Sequence, residues 1–112
     1  MNLAFKVLFL AHAPDAEPGK HKCKVETSMY SLHVRVVRNQ AQAVEVSRDL
    51  VKEEGIHSIL LCPGFRHADV AEIAKEVGKD VGVFVARGDG PSSRATKEIM
   101  TREGYFSEKG KD

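Results

Sequence analysis

LHVRVVRNQAQAVEVSRDLVKEEGIHSILLCPG, residues 32–64, decides the fold. It opens by alternating: Leu32, Val34 and Val36 take one side of an extended chain, and His33, Arg35 and Val37 take the other. Period two with one polar side predicts a strand at or near a sheet edge, where charge also discourages unwanted pairing. Asn39 then stands as an N-cap, with Gln42 three residues on in the capping-box position. The helix it opens runs to about Glu54 and buries Ala43, Val44, Val46, Leu50 and Val51; Gly55 supplies the left-handed end. Ile56–Cys62 is again apolar and of strand length. Strand, helix and strand in succession make a crossover unit, which joins parallel neighbours with a right-handed turn.

Upstream, Leu3 to Ala11 is almost continuously apolar and stops short of Pro14, as a strand buried on both faces does. Residues 12–20 hold two prolines and a glycine and read as loop. Residues 21–30 fit two descriptions, a short strand (Cys23, Val25 and Thr27 alternate) or a short crossover helix. Downstream, Val70, Ile73, Ala74 and Val77 are spaced for a second helix, ended by Gly78. Val81–Ala86 is another buried strand, and Arg87-Gly88-Asp89-Gly90-Pro91 an abrupt turn. Ser92 or Ser93 caps a third helix through about Thr101, closed by Gly104, with Tyr105 and Phe106 packing back on the body. The expectation is an α/β fold: a small three-layer sandwich, with a mainly parallel sheet of about four strands and three helices on its two faces. Residues 1–106 form one domain, and 107–112 a frayed charged tail.

Composition bounds the function. The chain has 112 residues, too few for a second domain of ordinary size. Seventeen Lys+Arg against sixteen Asp+Glu give a net charge of +1, which argues against electrostatic capture by nucleic acid or an anionic membrane. The basic cluster Lys20-His21-Lys22-Cys23-Lys24 has no aromatic interleaved and reads as a solvated loop. No apolar run reaches the roughly 20 residues of a membrane-spanning helix. The N-terminus makes a poor signal peptide, since a lysine interrupts its apolar run. Cys23 and Cys62 are far apart, so neither a disulfide framework nor a structural zinc site is expected. The chain reads as cytoplasmic with both thiols reduced.

In open parallel sheets ligands bind beyond the carboxyl ends of the strands. Here those ends carry His12, the loop Cys62-Pro63-Gly64-Phe65-Arg66-His67, and the loop from Arg87 to Ser93. Gly64 permits close backbone approach, and the helix that follows points free N–H groups at the rim. Arg66 and Arg87 suit a carboxylate or phosphate, and Gly90, Ser92 and Ser93 have the composition of an anion cradle. Cys62 is a candidate nucleophile with His67 or His12 as base. It equally reads as a small hydrophobe closing a core strand, as Gly64 reads as a plain turn residue. Cysteine and arginine stand four apart, not the six of a phosphatase loop. No P-loop, full G-x-G-x-x-G or metal-ligand histidine spacing is present, so no cofactor or metal is predicted.

Ala13-Pro14-Asp15-Ala16, Val25-Glu26-Thr27 and above all Leu61-Cys62-Pro63-Gly64-Phe65-Arg66-His67 carry a resemblance. Across most of residues 3–88 the chain resembles a family of short prokaryotic proteins catalogued only as a domain of unknown function, whose loop reads L-C-G-G-F-x-H. The resemblance implies a compact α/β fold and no established activity; Pro63 replaces the loop's first glycine and stiffens it. Three functions follow from the residues. The first is a binding or regulatory module for a small anionic metabolite at the rim, as a homodimer that covers an edge strand. The second is a small enzyme with Cys62 as nucleophile and a histidine base. The third is a structural or partner-binding protein with no ligand site.

Overall fold

The computed structural model describes residues 4–88 and 90–106. The elements are β1 (Phe5–His12), β2 (Lys22–Glu26), β3 (Tyr30–Val37), α1 (Gln40–Glu54), β4 (Ser58–Leu61), α2 (His67–Val77), β5 (Gly82–Val85) and α3 (Gly90–Arg102). The class is α/β, with one sheet in the order β2-β3-β1-β4-β5. β3, β1, β4 and β5 run parallel, and β2 pairs antiparallel with β3. Five strands stand where about four were expected. The added one is Lys22–Glu26, the short-strand alternative for residues 21–30, and it takes in most of the basic cluster that read as a solvated loop. It returns through a turn in which the Thr27 hydroxyl accepts from the Met29 and Tyr30 amides at 3.2 and 3.0 Å.

The three-layer expectation fails, and strand order explains why. The steps from β3 to β4 and from β4 to β5 cross the sheet in the same direction. Right-handed crossovers therefore lay α1 and α2 side by side on one face. The step from β1 to β3 goes the other way and would have brought a helix to the opposite face. That connection instead stays in the sheet plane as the β2–β3 hairpin. α3 follows the last strand and buries no residue.

The core accordingly lies on one side. Leu8 and Leu10 of β1, Val37 of β3, and Ile59 and Leu61 of β4 pack against Ala43, Val46 and Leu50 of α1, Ile73 of α2, and Phe65. Each of these side chains larger than alanine contributes about 1.5–3 kcal/mol relative to exposure. The parity of β3 is the reverse of what its alternation suggests. Ser31, His33 and Val37 are buried, whereas Leu32, Val34 and Val36 share the uncovered face with Phe5, Phe9, Leu60 and Phe84. β5 is an edge strand, with Phe84 59% exposed, rather than the buried strand its composition implied.

Local signals hold at α1. The Asn39 side chain accepts from the Gln42 amide at 2.9 Å, the Gln42 side chain accepts from the Arg38 amide at 2.8 Å, and Gly55 ends the helix at φ 71°. α3 starts at Gly90, so Ser92 and Ser93 lie within its first turn. Tyr105 is half-buried and Phe106 half-exposed. Asp89 and the 107–112 tail lie outside the described residues.

Candidate functional site

The four parallel strands end on one rim, and there His12 and Cys62 meet. Cys62 follows β4, its amide donating to the Leu10 carbonyl at 3.0 Å, and this sets its sulfur beside the end of β1. Sγ lies 3.8 Å from His12 Nδ1. The imidazole stacks on Phe65 at a centroid distance of 4.1 Å, and Phe65 is fully buried. Burial pushes the His12 pKa below its ordinary value, against an opposing pull from Asp69. The ring is therefore neutral at pH 7 and competent to accept a proton. Gly64 closes the arrangement: a Cβ there would stand 3.1 Å from His12 Nδ1 and 3.6 Å from Cys62 Sγ. It is glycine because the turn runs against the pair, at ordinary φ.

The rim's cations are engaged within the chain. Arg66 Nε and Nη2 donate to Asp69 at 3.3 and 3.2 Å, and the Arg66 amide donates to the same carboxylate at 2.9 Å. The Arg66 side-chain bond holds Asp69 below the usual carboxylate range, although burial pulls the other way. A carboxylate thus occupies the amino end of α2, where an anion was expected to sit. Arg87 Nη1 reaches the Phe65 carbonyl at 3.1 Å and the Pro63 carbonyl at 3.5 Å, and Nη2 lies 3.3 Å from His67 Nδ1. Arg87 fastens one loop to the other, and His67 faces Arg87. Gly90, Ser92 and Ser93 are exposed, and Ser93 Oγ sits 3.1 Å from where a Cβ on Gly88 would be.

A second feature lies at the other side of the covered face. Lys22 pairs in register with Arg35, and Lys24 with His33, on the antiparallel β2–β3 ladder. All four share the helix-side face, beside the C-terminal end of α1. They floor a groove of about 320 Å³ lined by Lys22, Cys23 and Lys24 of β2, His33 and Arg35 of β3, and Leu50 and Glu54 of α1. Like charges directly opposite one another destabilise a sheet. Here Lys24 has a partner, Glu26 at 3.4 Å, whereas Lys22 and Arg35 have no ion-pair partner among the described residues. Burial lowers the His33 pKa, and neighbouring Lys24 and Arg35 lower it further, against Glu54 and Glu26. His33 Nε2 lies 3.4 Å from the Ser31 hydroxyl.

The signal for this groove was in the sequence, as basic residue types two apart on two successive short segments, Lys22 and Lys24 then His33 and Arg35. Seeing it required knowing that the segments pair. Asp69 was missed because an acidic residue in a helix's first turn reads as ordinary capping. No group of three His, Cys, Asp or Glu residues is placed to hold a metal among the described residues. No helix there is long and apolar enough to cross a membrane.

A family model matches residues 5–101, and the chain belongs to that family, a family of unknown function (DUF6506). No curated protein and no solved structure matches the chain.

Proposed function

We propose that this member of the family is a binding module for a small anionic metabolite, and that the β2–β3 groove takes the ligand. One observation carries the reading: Lys22 and Arg35 face each other across an antiparallel ladder, unpaired, over a 320 Å³ groove. An anion between them turns a repulsive pair into two charge-assisted contacts. Leu50 offers an apolar wall, so the fitting class is a carboxylate or phosphate on a short carbon skeleton. The rim is less suited to an anion, because Arg66 would have to leave Asp69 and Arg87 would have to leave two carbonyls.

The test is thermal stability against inorganic phosphate, sulfate and a panel of di- and tricarboxylates. The expected result is a rise in Tm with at least one anion, lost in Arg35→Gln and Lys22→Gln and kept in Arg66→Ala. A panel that shifts nothing overturns the reading. A shift lost in Arg66→Ala or Arg87→Ala, and kept in Arg35→Gln, moves the ligand to the rim.

A second reading rests on the Cys62–His12 contact: a small enzyme in which His12 removes the thiol proton as Cys62 attacks an electrophile. Iodoacetamide alkylation of Cys62 followed against pH checks it. An enhanced rate near pH 7 that drops in His12→Phe supports the dyad. A rate no faster than that of a free thiol removes it.

A further inference from the structure

We propose that the uncovered face of the sheet docks a second copy of this chain. Counting along the strands, this face presents Phe5, Val7, Phe9 and Ala11 on β1, and Tyr30, Leu32, Val34 and Val36 on β3. Leu60 and Ser58 on β4, Phe84 and Gly82 on β5, and Cys23 and Val25 on β2 complete it. No charged residue is among them. A sheet face meant for water alternates apolar-in with polar-out, and here the outward side chains are the apolar ones. Phe84 is 59% exposed, Val25 56% and Phe5 49%.

Size favours a protein partner. Strands about 4.8 Å apart, rising about 3.3 Å per residue, give five strands of this length a flat footprint of roughly 300–600 Å². Clothed in side chains, such a footprint approaches the ~800 Å² per partner of a standard stable interface. It matches the ~300–600 Å² of the largest apolar patch on a typical monomer, a patch that is often functional. The choice of a second copy rests on symmetry and chemistry. An isologous pair needs one patch set against its own copy, and a twofold axis parallel to the sheet and midway between two copies does this with β1, the central strand, at the middle of the contact. Two such faces would form a sandwich core of the aligned kind, with the helices outside. A face without charge has no pattern with which to select a foreign partner, but it is complementary to itself. This interface is a face, not the edge strand that sequence considerations suggested.

The experiment is sedimentation of the full chain from about 1 to 100 μM, with Leu60→Lys and Phe84→Lys beside it. The expected result is a species of twice the 12.3 kDa chain mass and a Tm that rises with concentration. Either lysine variant is expected to be monomeric, with unchanged far-ultraviolet circular dichroism. A wild-type chain that stays monomeric across the range overturns the proposal, whatever else covers the face. So does a dimer that persists in folded Leu60→Lys and Phe84→Lys. Should one variant fail to fold, the other, together with the concentration dependence of the wild-type Tm, still decides.

Discussion

The two faces of this sheet are built from the same strands and differ in a way that composition alone misreports. The face under α1 and α2 carries Leu8, Leu10, Ile59 and Leu61, and also Lys22, Lys24, His33 and Arg35. The bare face carries hydrocarbon almost throughout, yet Phe5, Leu60 and Phe84 stand in solvent in the single chain. Polarity therefore does not mark the outside here. Coverage is set by the direction in which each crossover steps across the sheet. Polar residues on the covered face gather toward β2, beside the C-terminal end of α1, and that is where the groove forms.

The largest expected effect tests this contrast with two adjacent residues. Leu61 is fully buried beneath the helices, and Leu60, one position earlier, is 37% exposed on the bare face. Leu61→Ala should lower stability by about 2–5 kcal/mol, through lost burial and an unfilled cavity. Leu60→Ala should lower the stability of the dilute chain by less, about 1–2 kcal/mol, since over a third of its side chain is already exposed. Urea unfolding of both variants at low micromolar concentration measures the pair. Equal losses would mean that the bare face is covered within one chain, and would remove the contrast.

That contrast also shows how much the sequence could reveal. α1 was readable to its ends because Asn39, Gln42 and Gly55 act within a few residues of themselves. The α/β class was readable because apolar runs alternated with helical spacing. Layering was not, because it follows from strand order, which no local pattern carries. On β1 both parities are apolar, Leu8 and Leu10 against Val7 and Phe9, so the run could not say which side a helix would cover. On β3 the polar parity pointed the wrong way, because His33 bonds inward to Ser31. The rule for strand ends did bring His12 and Cys62 together in advance. It could not show that Asp69 would claim Arg66, since that depends on the conformation of the α2 entry.

Acid should act on the covered side through two imidazoles, one buried and one half-buried. Burial lowers the pKa of both His33 and His12, so the folded chain resists protonation that the unfolded chain accepts below about pH 6.5. Their contribution is complete above that value and is lost as pH falls through the folded pKa values. Lys24, Arg35, Glu54 and Glu26 surround His33, and the two cations outweigh neither burial nor each other's direction; both add to it. Urea midpoints at pH 7.5 and 5.0 should show a decline, smaller in His33→Gln. An equal decline in that variant would show that His33 does not contribute. The strand residues on the bare face include no histidine or carboxylate, although the His57 ring stacks on Phe5 at its margin with centroids 5.9 Å apart.

The smallest effect contrasts two hydroxyls. Ser47, on α1 over the covered face, is fully buried, and its Oγ has no hydrogen-bond partner among the described residues. Ser58 belongs to the bare face and is half-buried. An unsatisfied buried hydroxyl costs on the order of 1–3 kcal/mol, and alanine is also the better helix former. Ser47→Ala removes one oxygen and leaves no cavity of consequence. It should raise the urea midpoint, corresponding to about 0.5–1.5 kcal/mol, without changing the slope. Ser58→Ala should stay within about 0.5 kcal/mol of the parent, because its half-buried hydroxyl makes no hydrogen bond to another described residue that the change would break. A loss of stability in Ser47→Ala would mean that the hydroxyl is satisfied in solution. The interior under the helices would then be wetter than its packing implies, and the two faces of the sheet less different.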